Sequence, residues 1–372
     1  MKLEDIRYVE DNPTTLLQIN SDDNYFGGDS RTLLRSLYSN SVLVTKDLFP
    51  DVSKSIDKTR QIISHNLIFD VFVKPDPTPQ AHCVALPKDN SLAVILTSSL
   101  VGLLNPSELQ FVLGHELGHY FFRHYRYPKP EEAVNEIDYL RRVYLSRCAE
   151  ISADRVGFLA CPSLDDAMLA IIKVASGLSE QHIKLNTSSY IKQLRKVKSL
   201  KGYIDNAYSA HPIFPLRMRS LLWFSMSEPY YLFSNSSEIP PLNRQQLEKM
   251  VSKDLGDISD KLLFEKENEL LTNLLLWAIM KLAISHKKLT KQDQTIIKEH
   301  LPPDIVDKAV NFLKDYSSIA NEIVDKKLNI SLNEISGIRK TKITELYSEL
   351  VIISKKLCIS EKILDTLMGK LK

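Results

Sequence analysis

Apolar residues recur at a helical period along most of this chain, and the breaks in that period locate a small sheet. Leu109, Val112, Leu113, Leu117, Tyr120 and Phe121 follow three and four apart behind Asn105-Pro106, a pair suited to a helix start. A second helix is expected from about Val134 to Ala160, where Ile137, Leu140, Val143, Tyr144, Ile151 and Phe158 keep an apolar stripe. Ahead of both helices lie three apolar runs of strand length, Ile68–Val73, Cys83–Leu86 and Leu92–Leu96. Asp76–Pro79 and Pro87–Asn90 supply turns between them. Ile56–His65 reads as a helix before the strands, and Ser30–Ser39 as another. Residues 126–133, with Pro128, Pro130 and two glutamates, read as a loop, and 163–202 as helical. Ser225–Leu242 carries Pro229, Pro240 and Pro241 and reads as a linker with an aromatic cluster at Tyr230-Tyr231-Leu232-Phe233. Beyond it the leucine and isoleucine repeats are helical throughout, and Pro302-Pro303-Asp304 opens one helix.

These patterns predict an α+β protein: a mainly helical domain with a small β-sheet, followed by an all-α C-terminal domain. The expected segments are an N-terminal extension (1–55), a main domain (56–225), a linker (226–242) and a helical domain (243–372). A chain of 372 residues suits two or three domains.

The helix at 106–121 carries His115-Glu116-Leu117-Gly118-His119, an HExxH motif. Positions i and i+4 share a helix face, so His115 and His119 can reach one metal ion. Glu116 projects beside them, where it can take a proton from a metal-activated water. A catalytic zinc takes three protein ligands and keeps one open position. No further histidine follows at the spacing of a longer zinc motif, because positions 122 and 125 are Phe and Tyr. His124, five residues past His119, falls about 140° further round an ideal helix and should point away from the metal. Glu150 on the second helix is the best third ligand. Asp154 is one turn on, where its carboxylate can accept the free N–H of a ligating histidine. The bland alternative is an acidic helix face paired with Arg147 and Arg155.

The order of these segments resembles the M48 family of gluzincin metallopeptidases. The resemblance runs over about residues 55–225 and rests on four stretches: His82–Pro87, Leu92–Leu104, the HExxH with Glu150-Ile-Ser-Ala-Asp154, and Ser209-Ala210-His211-Pro212 followed by Arg217. It implies a zincin-like peptidase domain and one Zn2+ per chain, held by His115, His119 and Glu150. It makes Glu116 the general base and His211 a catalytic donor to the oxyanion. Asp154 and Arg217 become supporting residues, with Arg217 orienting a carboxylate of the site. His82 stands where the family often has Asn and is expected to touch substrate backbone. Leu92–Thr97 is the candidate edge strand for pairing with substrate, which makes Ala93 and Ile95 candidate substrate-binding residues.

Composition narrows the setting. A formal net charge of +2 offers no global field for nucleic acid or anionic membrane. Met1–Arg7 lacks the apolar core of a secretory signal. Leu92–Leu104 and Leu270–Ile284 fall short of the roughly 20 apolar residues that span a bilayer. The four cysteines, Cys83, Cys148, Cys161 and Cys358, have no paired spacing and read as reduced thiols. The expectation is a cytoplasmic zinc endopeptidase acting on protein or peptide. The alternative is a latent or regulatory zinc-binding protein whose C-terminal helices bind a partner.

Overall fold

A computed structural model describes residues 2–12, 30–63, 67, 69–86, 92–199, 208–286, 290–315, 318–335, 338 and 340–358. The expected turn at Pro87–Asn90 lies outside them. The chain forms two compact units that divide between Lys261 and Leu262.

The first unit contains the sheet. Helix α1 (Ser30–Asn40), strand β1 (Val42–Leu43) and helix α2 (Pro50–Ile63) precede β2 (Phe69–Lys74), β3 (Ala81–Ala85) and β4 (Leu92–Thr97). The strand order is β1-β2-β4-β3. β2 and β4 are parallel, with Phe69 opposite Leu92 and Lys74 opposite Thr97. β3 is antiparallel to β4, with His82 opposite Ile95 and Ala85 opposite Leu92. This corrects one expectation: β4 is an inner strand, and β3 is the edge. An inner strand is covered on both faces and reads as a continuous apolar run, as Leu92–Leu96 does.

α3 (Ser98–Leu103) leads into α4 (Pro106–Phe121), which carries the HExxH. Asn105 caps α4 by accepting from the Ser107 and Glu108 N–H groups, and Glu108 returns a bond to the Asn105 N–H. The buried Glu108 is neutralised by Lys173 at 2.7 Å from α6 (Leu164–Ser176). α5 (Glu136–Ala160) lies against α4 so closely that glycine is required between them. A Cβ on Gly114 would stand 2.5 Å from the Ala160 Cβ, and one on Gly118 would stand 2.9 Å from the Ala153 Cα. This contact brings two histidines and two carboxylates from different helices together.

The short helices α7 (Thr187–Ile191) and α8 (Gln193–Ser199) are followed by α9 (Phe214–Ser225) and α10 (Glu228–Phe233). α10 sits in the expected linker, where Tyr230 stacks on Phe158 of α5 with ring centres 4.8 Å apart. α11 (Arg244–Asp254) also belongs to the first unit. Its Leu247 and Val251 are buried, and Glu248 receives two hydrogen bonds from Arg155 at 2.9 and 3.0 Å. The expected boundary at 242/243 therefore moves to 261/262.

Residues 2–12 also belong to this unit. Ile6, Tyr8 and Asp11 are buried. The Tyr8 N–H donates to Ser152 Oγ, Arg155 donates to the Ile6 carbonyl, and Tyr144 donates to Glu10. The second unit is helical among its described residues: α12 (Lys261–His286), α13 (Lys291–Lys298), α14 (Pro303–Asp315), α15 (Ala320–Glu334) and α16 (Lys340–Lys356). Leu274, Ile279, Val306, Val324, Leu350 and Ile353 lie in its core. No helix among the described residues is long and apolar enough to cross a membrane.

Candidate metal centre

His115 and His119 lie one turn apart on α4, with their Nε2 atoms 3.0 Å apart. Glu150 of α5 faces both: Oε1 is 3.3 Å from His119 Nε2, and Oε2 is 3.7 Å from His115 Nε2. A tetrahedral zinc with bonds of about 2.0–2.1 Å needs ligand atoms about 3.3 Å apart. The three donors fit that spacing, and two imidazoles with one carboxylate suit zinc chemically.

The electrostatics keep Glu150 ionised among these groups. Burial opposes a charge on Glu150, but His119, His211 and Arg217 outweigh it and hold the carboxyl well below the usual carboxylate range. Burial likewise disfavours protonated His119, but the Glu150 carboxylate prevails and raises its pKa.

The surrounding groups orient these three side chains. Asp154 Oδ1 lies 2.9 Å from His115 Nδ1, so Nδ1 donates and Nε2 keeps its lone pair toward the centre. Arg217 Nε donates to Asp154 Oδ2 at 2.8 Å, and its NH1 lies 3.4 Å from Glu150 Oε2. His211 Nδ1 lies 3.3 Å from Glu150 Oε1, and the side chain is 71% exposed at the mouth of the site. Glu150 raises the His211 pKa against its partial desolvation. Glu116 opens on a cleft of about 850 Å³ together with His82, Cys83, His115, His119 and His211.

Two expected substrate contacts do not reach that cleft. Ala93 is fully buried against Leu37 and Phe72, and Ile95 packs on the same cluster with Leu33. Their strand is paired on both sides, so its backbone has no free edge for substrate. Gln80, Ala81, His82 and Cys83, on or beside the β3 edge, line the cleft instead.

His124 also departs from expectation. Its ring Nδ1 lies 2.8 Å from His119 Nδ1. The wheel extrapolation fails because α4 ends at Phe121. Arg123 takes a left-handed conformation (φ 56°), and a 3-10 turn at His124–Arg126 folds the ring back under His119. No glycine marks this reversal in the sequence. Beyond it, His124 Nε2 lies 2.9 Å from Asp11 Oδ2, and the Tyr127 hydroxyl donates to Asp11 Oδ1 at 2.5 Å. Burial pushes the Asp11 carboxyl up, yet His124, Arg7 and Tyr127 together hold it well below its ordinary value. Burial outweighs Asp11 at His124 and lowers its pKa to about 4.

Residues 56–129 match the family model described as Peptidase family M48. That match covers the HExxH helix and ends before Glu150. Plastoglobule-localized metallopeptidase 48, chloroplastic, of Arabidopsis thaliana is 28% identical over 212 residues, covering 51% of this chain. The alignment spans 61% of that relative, about three fifths of its length. No solved structure matches significantly.

Proposed function

We propose that this chain, which belongs to peptidase family M48, is a zinc-dependent endopeptidase holding one zinc ion through His115, His119 and Glu150. The observation that carries the reading is the convergence of those three donor groups beside Glu116 in an open cleft. When bound, zinc would acidify a water molecule and polarise the scissile carbonyl. Glu116 takes the proton of the attacking water and delivers it to the leaving amine. Glu150 favours the protonated form of His211, whose Nδ1–H faces that carboxylate and whose Nε2–H is then available to donate to the developing oxyanion. Arg217 and Asp154 act on the ligands, since both are engaged with His115 or Glu150. Extended substrate is best accommodated along β3, with His82 at the cleft. The latent or regulatory alternative gains nothing from a site that keeps Glu116 beside its ligands.

The test is metal content by ICP-MS alongside cleavage of casein or a peptide library. Glu116→Gln should keep about one zinc and lose cleavage, whereas Glu150→Ala should lose zinc. Wild-type protein without zinc, or Glu116→Gln with full activity, would sink the proposal.

A further inference from the structure

The two histidines are oriented by different means. His115 meets its carboxylate, Asp154, directly. Among the described residues, His119 meets no carboxylate at Nδ1. It meets the Nδ1 of His124, whose Nε2 meets Asp11. We infer that His124 and Asp11 are positioning residues for the metal centre, forming a relay that fixes the tautomer of His119 and aims its Nε2 lone pair at the cation. The inference rests on the zinc-peptidase reading above.

Proton counting carries it. A carboxylate only accepts hydrogen bonds, so His124 must donate to Asp11 through Nε2–H. A neutral His124 then has a bare Nδ1, which must accept at 2.8 Å. The donor is His119 Nδ1–H, and the remaining His119 nitrogen, Nε2, is left with its lone pair. That nitrogen is the one facing His115 Nε2 and Glu150 Oε1.

The relay is built to keep this arrangement. Asp11 is 1% exposed and is held by Tyr127 at Oδ1 and by Arg7 Nε at 3.1 Å on Oδ2. Arg7 also donates to the Tyr127 hydroxyl at 2.5 Å, so Tyr127 is left to donate to Asp11. The His124 ring stands 4.9 Å from that of His119 and 5.0 Å from that of Tyr127, confined on both sides. Outer partners of ligating histidines set ring orientation and ligand basicity, and losing one typically costs 10–100-fold in metal affinity.

Zinc affinity, measured by chelator competition on the full chain, tests the inference with two variants. His124→Phe keeps a planar ring but offers no acceptor. His124→Asn can place its carboxamide oxygen near the former Nδ1. His124→Phe should bind zinc about 10–100-fold more weakly, and His124→Asn should recover most of that loss. Histidine-selective 15N NMR of zinc-loaded wild type gives a readout that needs no variant to fold: His124 should carry its proton on Nε2 and His119 on Nδ1. A folded His124→Phe with wild-type affinity, or a His124 protonated at Nδ1 in the loaded protein, overturns the relay. Failure of the wild type to bind zinc overturns the peptidase reading itself, so the two failures are distinguishable.

Discussion

Gly114→Ala and Gly102→Ala make the same chemical change in two helices and should move stability in opposite directions. At Gly114 the new methyl would lie 2.5 Å from Ala160 Cβ and 3.0 Å from both Gly157 Cα and the Val156 carbonyl oxygen. Carbon atoms pack favourably at about 3.5–4.0 Å, so α4 and α5 must part by about 1 Å. Overpacking of this kind costs about 1–3 kcal/mol, and alanine recovers up to about 1 kcal/mol of helix propensity. The net expectation is a loss of about 1–2 kcal/mol. Gly102 in α3 has nothing within 4 Å of its added Cβ, so alanine there should gain about 0.4–1 kcal/mol. Urea unfolding in a Trp277→Phe background reads the first unit through Trp223, since these are the two tryptophans of the chain. Zinc affinity should fall with Gly114→Ala as well, because His115 rides on α4 while Glu150 and Asp154 ride on α5. The reasoning fails if both variants shift the midpoint in the same direction, or if Gly114→Ala leaves midpoint and zinc binding unchanged.

Two further outcomes are expected. Glu248→Ala strands the buried Arg155 guanidinium, and breaking such a pair costs about 3–5 kcal/mol, so the same melt should show a large loss; a change within experimental scatter would mean that Arg155 finds another partner. Ellman's reagent at pH 8 should find a single fast thiol, Cys358, removable as Cys358→Ser. Burial raises Cys83 and Cys148 well above the ordinary thiol range and pushes Cys161 up to about 12. A second fast thiol in the native protein would contradict this.

The sequence made the ligand helices legible because their chemistry is local. HExxH on a capped, apolar-periodic segment implies one helix face, and Glu150 with Asp154 implies another. The helix expected over Val134–Ala160 runs from Glu136 to Ala160. Strand order is not legible: a short apolar strand carries no mark of who lies beside it, so sequence alone points to β4 as the edge that β3 occupies. His124 was misplaced because a helical wheel extends a helix past its end, and the Arg123 reversal has no glycine to announce it. Asp11 was out of reach for a different reason. Its partners His124 and Tyr127 lie more than a hundred positions away, and a lone aspartate near Arg7 has no periodicity to read.

Threading residues 6–11 through the first unit has a consequence for the order of assembly. Asp11 waits for a histidine 113 positions later, Tyr8 for a serine 144 later and Glu10 for a serine 242 later. Contacts this remote in sequence form late and slowly, because long loops must close before they are rewarded. During translation this segment therefore cannot seat until residues of α5 and α11 have emerged. Docking of residues 6–11 is thereby coupled to synthesis of α11, through a hydrogen bond that spans 242 positions.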